Sequence, residues 1–313
     1  MNKLLWMHCF VRAVETGSFS AVARELDIGQ PNVSRHIASL EKLLGTRLMH
    51  RSTRHLVATP DGQRYYAQAR QALDVISQAE SDLRGPSNPH GLLRVACAHS
   101  LLTEIIMPAL PTFLARFPEV QLEFRLGDGF IDLVAEGVDI AIRGGVLKDS
   151  ALRARRIGSS ERVFVASAAY LNEHGEPRQP ADLLRHQCII YTLMVGGGGA
   201  WPFKDNEVQV TGRLRLNSLE GVRRAVLENV GIGYLPSWMV AEQLHSGVLR
   251  PLLTEHARKP TPLNAVYSGE RLLARRAEVF IEFIGTVFAG APGLNGSSVH
   301  SAMPRALCEN LLK

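Results

Sequence analysis

The sequence predicts an α/β protein with an N-terminal all-α winged helix-turn-helix, a long linker helix and a C-terminal α/β region. Three observations carry this prediction. The first sixty residues hold three short apolar stripes at helical spacing, followed by a basic hairpin. A heptad-like seam then runs from Tyr66 to Leu83. From residue 91 onward apolar strands alternate with helices, the pattern of a parallel sheet with crossovers.

The first stripe is Met7, Phe10, Val11, Val14, and the second is Phe19, Val22, Ala23, Leu26. The third is Val33, Ile37, Leu40, Leu44. Gly17-Ser18 and Asp27-Ile28-Gly29 separate them, and the second break is short enough for a helix-turn-helix. None of these helices can bury its stripe alone, so they pack on one another. Pro31 suits the first turn of the third helix, where its missing N–H costs nothing. The side away from the stripe then presents Gln30, Asn32, Ser34, Arg35 and His36. Amides match adenine, arginine matches guanine and hydroxyls match either, so these are side chains that read base edges. A lone amphipathic helix would more simply have a solvated face. The tight turn, the proline start and the following segment favour the first reading.

That segment is TRLMHRSTRHLVATP. Leu48, His50 and His55-Leu56-Val57 flank an Arg51-Ser52-Thr53-Arg54 tip, a β-hairpin wing. Arg51 and Arg54 would lie against phosphates or in a minor groove.

The run ETGSFSAVARELDIGQPNVSRHIASLEKLLGTRLMHRSTRHLVATPDG closely resembles the DNA-binding domain of LysR-type transcriptional regulators. The match runs without gaps through Gly17-Ser18-Phe19, residues 21–26, Gln30-Pro31, Val33-Ser34, Ile37, Leu40-Glu41, Leu44-Gly45, Leu48, Arg51, Thr59 and Gly62. Met49 departs from the family's usual phenylalanine, an exchange of one apolar core group for another. The resemblance implies base contacts from the first turns of the third helix, carried here to Gln30, Pro31, Asn32, Ser34, Arg35 and His36.

Thr59-Pro60 can cap and start the linker helix. Its seam is Tyr66, Ala69, Leu73, Ile76 and Leu83, with Glu80 as the polar exception. So narrow a seam favours pairing with a second helix over packing on its own domain, and the resemblance implies a dimerising linker. Gly85-Pro86-Ser87-Asn88-Pro89 ends the helix in a hinge.

In the C-terminal region LLRVACA, VQLEFRL and VDIAIRGG are strands. A helix runs from His99-Ser100 to about Ala115, and a short one spans 130–136. A second unit begins near Arg162 with VFVASAAYL and continues through HQCIIYTL. LRLNSLEGVRRAVLENVGIGYLP then reads as strand, helix, strand, and a late strand and a last long helix follow. The stretches LPTFLARFPEVQLEF, GVDIAIRGG, ARRIGSS, PADLLRHQCIIY and GIGYLPSWMV resemble the effector-binding domain of the same family. That likeness implies two α/β subdomains joined by crossing strands, as in periplasmic binding proteins. Asn229 stands where the family often has glycine at a helix end, and asparagine tolerates the left-handed backbone needed there.

The expected organisation is a winged helix-turn-helix over 1–59, a linker helix over 60–85, a hinge at 86–90 and an effector domain over 91–290. Subdomain I covers about 91–161 and 263–290, and subdomain II about 162–262. A disordered Gly/Ser/Asn-rich tail takes 291–313.

Ligands of open parallel sheets bind beyond the carboxyl ends of the strands. That rule selects Ser100, Asp128 after Gly127, Arg143-Gly144, Thr192 and Asn217-Ser218. Helix N-termini at Ser100 and Ser218 suit an anion, and Arg143 suits a carboxylate. A small effector, of which a carboxylate is one fitting class, is expected between the subdomains. Plain helix capping at Ser100 and Ser218, and an ion pair of Arg143 with Asp139, would explain the same residues without a ligand.

Other classes fare worse. The net charge is only +5, so the placement of charge matters more than its total. The four cysteines stand in no metal-ligand spacing and fit a reducing cytoplasm. Cys97 and Cys188 lie in apolar strands, which argues against a redox sensor. MNKLLWMHCFV resembles a signal peptide, but His8, Arg12 and Glu15 interrupt it, and no run is long enough to span a membrane. Gly17-Ser18-Phe19-Ser20-Ala21 lacks the strand that a nucleophile elbow needs. Asp132 and Glu136 look solvated, His174 and His186 lack a partner at ligand spacing, and Gly196–Gly199 reads as a flexible loop without the lysine of a phosphate loop. No catalytic residue, metal site or cofactor is expected. The expected partners are double-stranded promoter DNA with an interrupted inverted repeat, a small effector, a second copy in a homodimer and homotetramer, and RNA polymerase, with no membrane. The rival is a solute-binding or enzyme-like module whose helical head binds protein.

Overall fold

The computed structural model describes residues 2–51, 56–83, 89–129, 131–133, 136–145, 152–269 and 273–295. The chain forms an N-terminal and a C-terminal unit.

In the N-terminal unit the three stripes become α1 (Lys3–Thr16), α2 (Phe19–Glu25) and α3 (Gln30–Leu44). Gly17 ends α1 with a left-handed backbone, and the Ser18 hydroxyl caps α2 by accepting from the Ala21 N–H. Asp27 takes a positive φ of 51° in the turn before α3. Phe10, Val22, Val33, Ile37, Leu40 and Leu48 are fully buried together, and Met49 fills its place in the same core.

β1 (Met49–Arg51) and β2 (Leu56–Ala58) pair antiparallel as the wing, with Met49 opposite Ala58. The Arg54 tip lies outside the described residues. α4 (Pro60–Leu83) follows, with the Thr59 hydroxyl accepting from the Gly62 N–H at 2.9 Å. The linker seam divides. Tyr66 and Ala69 are buried in this unit's own core and Leu73 packs against it. The first half of the seam therefore serves its own domain, as the simpler alternative holds, while Val75 farther along is 59% exposed.

The C-terminal unit opens with β3 (Gly91–Cys97) and α5 (His99–Leu101). The helical path continues as a π turn (Leu102–Ile106) and a 3-10 turn (Met107–Ala109) into α6 (Leu110–Arg116). Pro108 and Pro111 each withhold an N–H, which breaks the expected single helix into these pieces. β4 (Val120–Leu126), β5 (Ile140–Gly144) and β6 (Leu152–Ser160) follow. The short helix expected over 130–136 is absent from its described residues. They form turns closed by Glu136 N–H to the Asp132 carbonyl and Val138 N–H to the Leu133 carbonyl.

The second subdomain holds β7 (Arg162–Ser167), α7 (Ala168–His174), β8 (Ile190–Tyr191), β9 (Ala200–Pro202), β10 (Glu207–Gln209) and β11 (Arg215–Leu216). It ends with α8 (Leu219–Leu227), β12 (Gly233–Pro236), α9 (Ala241–His245) and β13 (Leu249–Leu252). The chain then returns through β14 (Thr261–Ser268) to α10 (Arg275–Gly290).

The larger sheet has the order β4-β3-β5-β14-β6. β3 is parallel to β4 and β5, but β14 is antiparallel to both β5 and β6. β7 is likewise antiparallel to β12 and β13. The parallel sheet with crossovers expected from the alternation is thus present in β4-β3-β5 and becomes mixed where β14 and β6 join it. The chain passes between subdomains on extended strands, and a strand that crosses without a helical return enters its sheet reversed.

Two loop expectations also change. Residues 291–295 are ordered: Leu294 is fully buried and its carbonyl accepts from the Ser159 N–H. The rest of the tail lies outside the described residues. Gly196, Gly197 and Gly198 form a tight turn with φ of 72°, 72° and 78°, and a Cβ on Gly198 would meet the Tyr191 carbonyl oxygen at 2.0 Å. Gly198 serves a close approach, and Gly196 and Gly197 supply the left-handed backbone of the turn. At Asn229 φ is 62°, as expected, and its side chain accepts from the Ser167 hydroxyl.

Gly62 provides a sharp test. A Cβ there would lie 2.0 Å from the Leu48 carbonyl oxygen, which belongs to the backbone and cannot swing away. Alanine is the better helix former by about 1 kcal/mol, but the clash outweighs that gain. Gly62→Ala is expected to lower stability by about 2–3 kcal/mol in denaturant unfolding. Gly285→Ala, whose Cβ would meet nothing within 4 Å, should be neutral or stabilising by up to about 1 kcal/mol. Equal behaviour of the two would refute the close approach at Gly62.

Candidate nucleic-acid interface and ligand cleft

α3 splits cleanly along its length. Val33, Ile37 and Leu40 are 0% exposed. Gln30, Pro31, Asn32 and Arg35 are exposed on the other side, with Ser34 and His36 half-buried beside them. Among the described residues none of these side chains makes a hydrogen bond or ion pair within the protein.

Carboxylate contacts fix α3 to the wing and join the other helices of this unit. Glu41 Oε1 accepts from the Leu48 and Met49 N–H groups at 2.8 and 3.1 Å, tying the start of the wing to α3. Arg12 donates to both oxygens of Glu25 at 2.6 and 2.8 Å and also pairs with Glu15. The Tyr66 hydroxyl donates to Glu15 at 2.9 Å, so α1, α2 and α4 share one polar knot. The hydrogen bond to Glu25 leads in holding the Arg12 pKa above its ordinary value. Arg51 ends β1.

In the C-terminal unit the strand-end residues have unequal roles. Asp128, just after β4, accepts from the Leu219 N–H at 2.9 Å. Leu219 is the first residue of α8, so a carboxylate of subdomain I sits on a helix N-terminus of subdomain II. The Tyr191 hydroxyl bonds to the same carboxylate, and burial first, then that negative charge, pushes its pKa up. Ser218 caps α8 through the Gly221 N–H, as the simpler reading holds. Ser100 is buried inside α5 and is not its cap, which is Ala98. The Thr192 hydroxyl donates to the Leu216 carbonyl, and Asn217 is exposed. Arg143 donates to the Ile131 carbonyl at 2.8 Å, and burial lowers its pKa. Gly144 ends β5 beside it.

Four residues of this region carried no local signal. Glu104 pairs with Arg223 of α8 at 2.9 Å, a second link between subdomains. Tyr191 has been described. Arg162 places its guanidinium over the Tyr234 ring, 5.5 Å from the centroid. Its Nη1 is closed off from solvent and has no hydrogen-bond partner among the described residues.

His174 and His186, expected to stand apart, share Tyr170. The His174 ring stacks on Tyr170 at 4.4 Å, and His186 Nδ1 lies 3.3 Å from the Tyr170 hydroxyl. Burial, then the neighbouring His174, lowers the His186 pKa. Among the described residues no three His, Cys, Asp or Glu side chains gather as a metal site, and no helix is long and apolar enough to cross a membrane.

Cys97 and Cys188 are buried, and burial pushes both thiols up to about 12. A thiol with so raised a pKa holds almost no thiolate near neutrality. Native protein treated with iodoacetamide at about pH 8 should therefore show both residues unmodified in peptide mapping. Alkylation of either without denaturant would contradict the burial.

Two family models match the chain. Residues 4–63 match the bacterial regulatory helix-turn-helix protein, lysR family, and residues 86–289 match the LysR substrate binding domain. The HTH-type transcriptional regulator CrgA of Neisseria meningitidis serogroup C is 35% identical over 280 residues, covering 88% of this chain and 93% of its own length. The HTH-type transcriptional activator AaeR of Escherichia coli is 30% identical over 301 residues, covering 92% and 94%. The solved structure of Neisseria meningitidis CrgA superposes with a TM-score of 0.59 at 34% identity, covering 90% of this chain and 97% of that one. A full-length OxyR variant from Pseudomonas aeruginosa gives a TM-score of 0.72 at 16% identity, covering 96% and 98%, a likeness of fold alone. The chain belongs to the LysR family of transcriptional regulators, with a DNA-binding helix-turn-helix and an effector-binding domain, and it is not an enzyme.

Proposed function

We propose that Gln30, Pro31, Asn32, Ser34, Arg35 and His36 read base edges in a major groove, while Arg51 and Arg54 hold the phosphate backbone. The observation that carries this reading is the split of α3: one side is wholly buried, and the other ends in amide, hydroxyl and guanidinium groups with no partner among the described residues. The target is promoter DNA with an interrupted inverted repeat, read by a homodimer paired through the later part of α4 and assembled further into a homotetramer. The exposed Val75 supports a partner there. RNA polymerase is the partner that responds to the bound regulator, and the cytoplasm is where the DNA lies.

The effector enters between the two subdomains, among Ser100, Asp128, Arg143, Gly144, Thr192, Asn217 and Ser218. Support comes from the Asp128 and Glu104 contacts, which make α8 respond to any change in the spacing of the subdomains. An effector acts by binding one spacing more tightly than the other.

Arg35→Ala is expected to cost about 1–3 kcal/mol at the specific site and little on random DNA. Arg51→Ala should weaken all sequences alike and lower the salt slope by about 1. Fluorescence anisotropy on specific and scrambled duplexes across a salt series separates the two. Equal losses on both duplexes for both variants would contradict the division of labour.

A further inference from the structure

We propose that Arg162 is the anchor for an acidic effector, meeting a carboxylate of the ligand with its guanidinium. The inference rests on the effector reading above and names the charge of the ligand and the residue that meets it.

Arg162 opens β7, directly opposite Pro236 of β12. In an antiparallel pair, side chains of opposed residues share a face, and alternate residues follow them. Arg162 therefore lies on the face of Phe164 and Tyr234, not on that of Val163 and Val165. Phe164 and Tyr234 stack at 4.4 Å, and the guanidinium rests over the Tyr234 ring. This aromatic floor desolvates the cation and orients its plane. Among the described residues nothing completes the arrangement, because Nη1 is enclosed without an acceptor. An enclosed donor nitrogen without an acceptor, on a half-buried charge, is costly.

A neighbouring acid is already committed. Asp128 is close enough for its charge to act on Arg162. Its carboxylate, however, accepts from the Leu219 N–H and the Tyr191 hydroxyl. The corner thus combines a flat aromatic wall with an unanswered guanidinium nitrogen. A small carboxylate with a flat apolar body satisfies both, because the guanidinium fork matches its two oxygens.

The test uses the purified full-length protein with acetate, benzoate and the neutral benzamide as probes, read by thermal unfolding and titration calorimetry. Wild type should be stabilised saturably by benzoate and more weakly by acetate, and not by benzamide. Arg162→Met should weaken benzoate at least about tenfold, and Arg162→Lys should restore part of it. A second reading needs no ligand. Replacing an orphaned cation by an apolar side chain of similar length should leave the melting temperature of the free protein unchanged or raised. Three results would overturn the inference: no response of wild type to either carboxylate, benzoate binding that survives Arg162→Met, or a large fall in the melting temperature of that free variant. If carboxylates bind through Arg162 but the protein shows no specific DNA site, the inference stands and the promoter reading fails.

Discussion

The DNA-facing half of the molecule depends on one carboxylate. Glu41 leaves α3 and takes two successive N–H groups, those of Leu48 and Met49, at the point where the chain turns into the wing. Hydrogen bonds to a charged acceptor are each worth about 1.5–3 kcal/mol, and losing the acceptor would leave two amides unanswered. The consequence is geometric as much as energetic. Arg51 follows Met49 by two residues, so its backbone position is set by the helix that carries Arg35. The core beneath, from Phe10 through Leu40 and Leu48, then needs to supply only bulk packing.

Asp128 plays the matching part in the C-terminal unit, with a different outcome. It fills the N-terminus of α8, the place where an incoming anion would otherwise find free N–H groups and a favourable dipole. A ligand carboxylate aimed there would have to displace a side chain tethered to the protein. The unanswered positive charge has moved one strand away, to Arg162. The helix terminus thus joins the subdomains, while the guanidinium waits beside them. Glu104 and Arg223 add a second, half-exposed link between the same elements.

Most of the N-terminal unit was legible in the sequence, because its determinants are local. Helical spacing, Gly17, Ser18, Pro31 and Thr59 each act within a turn or two of their own position. The departures arise where distant contacts decide. The α4 seam looked free because its spacing suits a coiled coil, yet Tyr66 and Ala69 find apolar partners in their own domain first. The glycine run at 196–198 looked loose because composition does not reveal that the Tyr191 carbonyl crowds Gly198. The strand-end rule selected Asp128, which lies on the N-terminus of α8, Ser100, which lies inside α5, and Ser218, which caps α8. It does not select Arg162, since that residue stands at the start of its strand. Nothing local marks an arginine whose setting is made by Tyr191, Asp128 and Tyr234.

The central claim is that α3 is shaped to read sequence in DNA. Sequencing of genomic fragments captured by the purified protein at near-physiological salt tests it most directly. The account predicts discrete sites sharing an interrupted inverted repeat, with neighbouring genes that suggest which acids to try as effector. Capture indistinguishable from random fragments, with and without small acids, would contradict it and leave α3 as a helix whose free side is merely solvated.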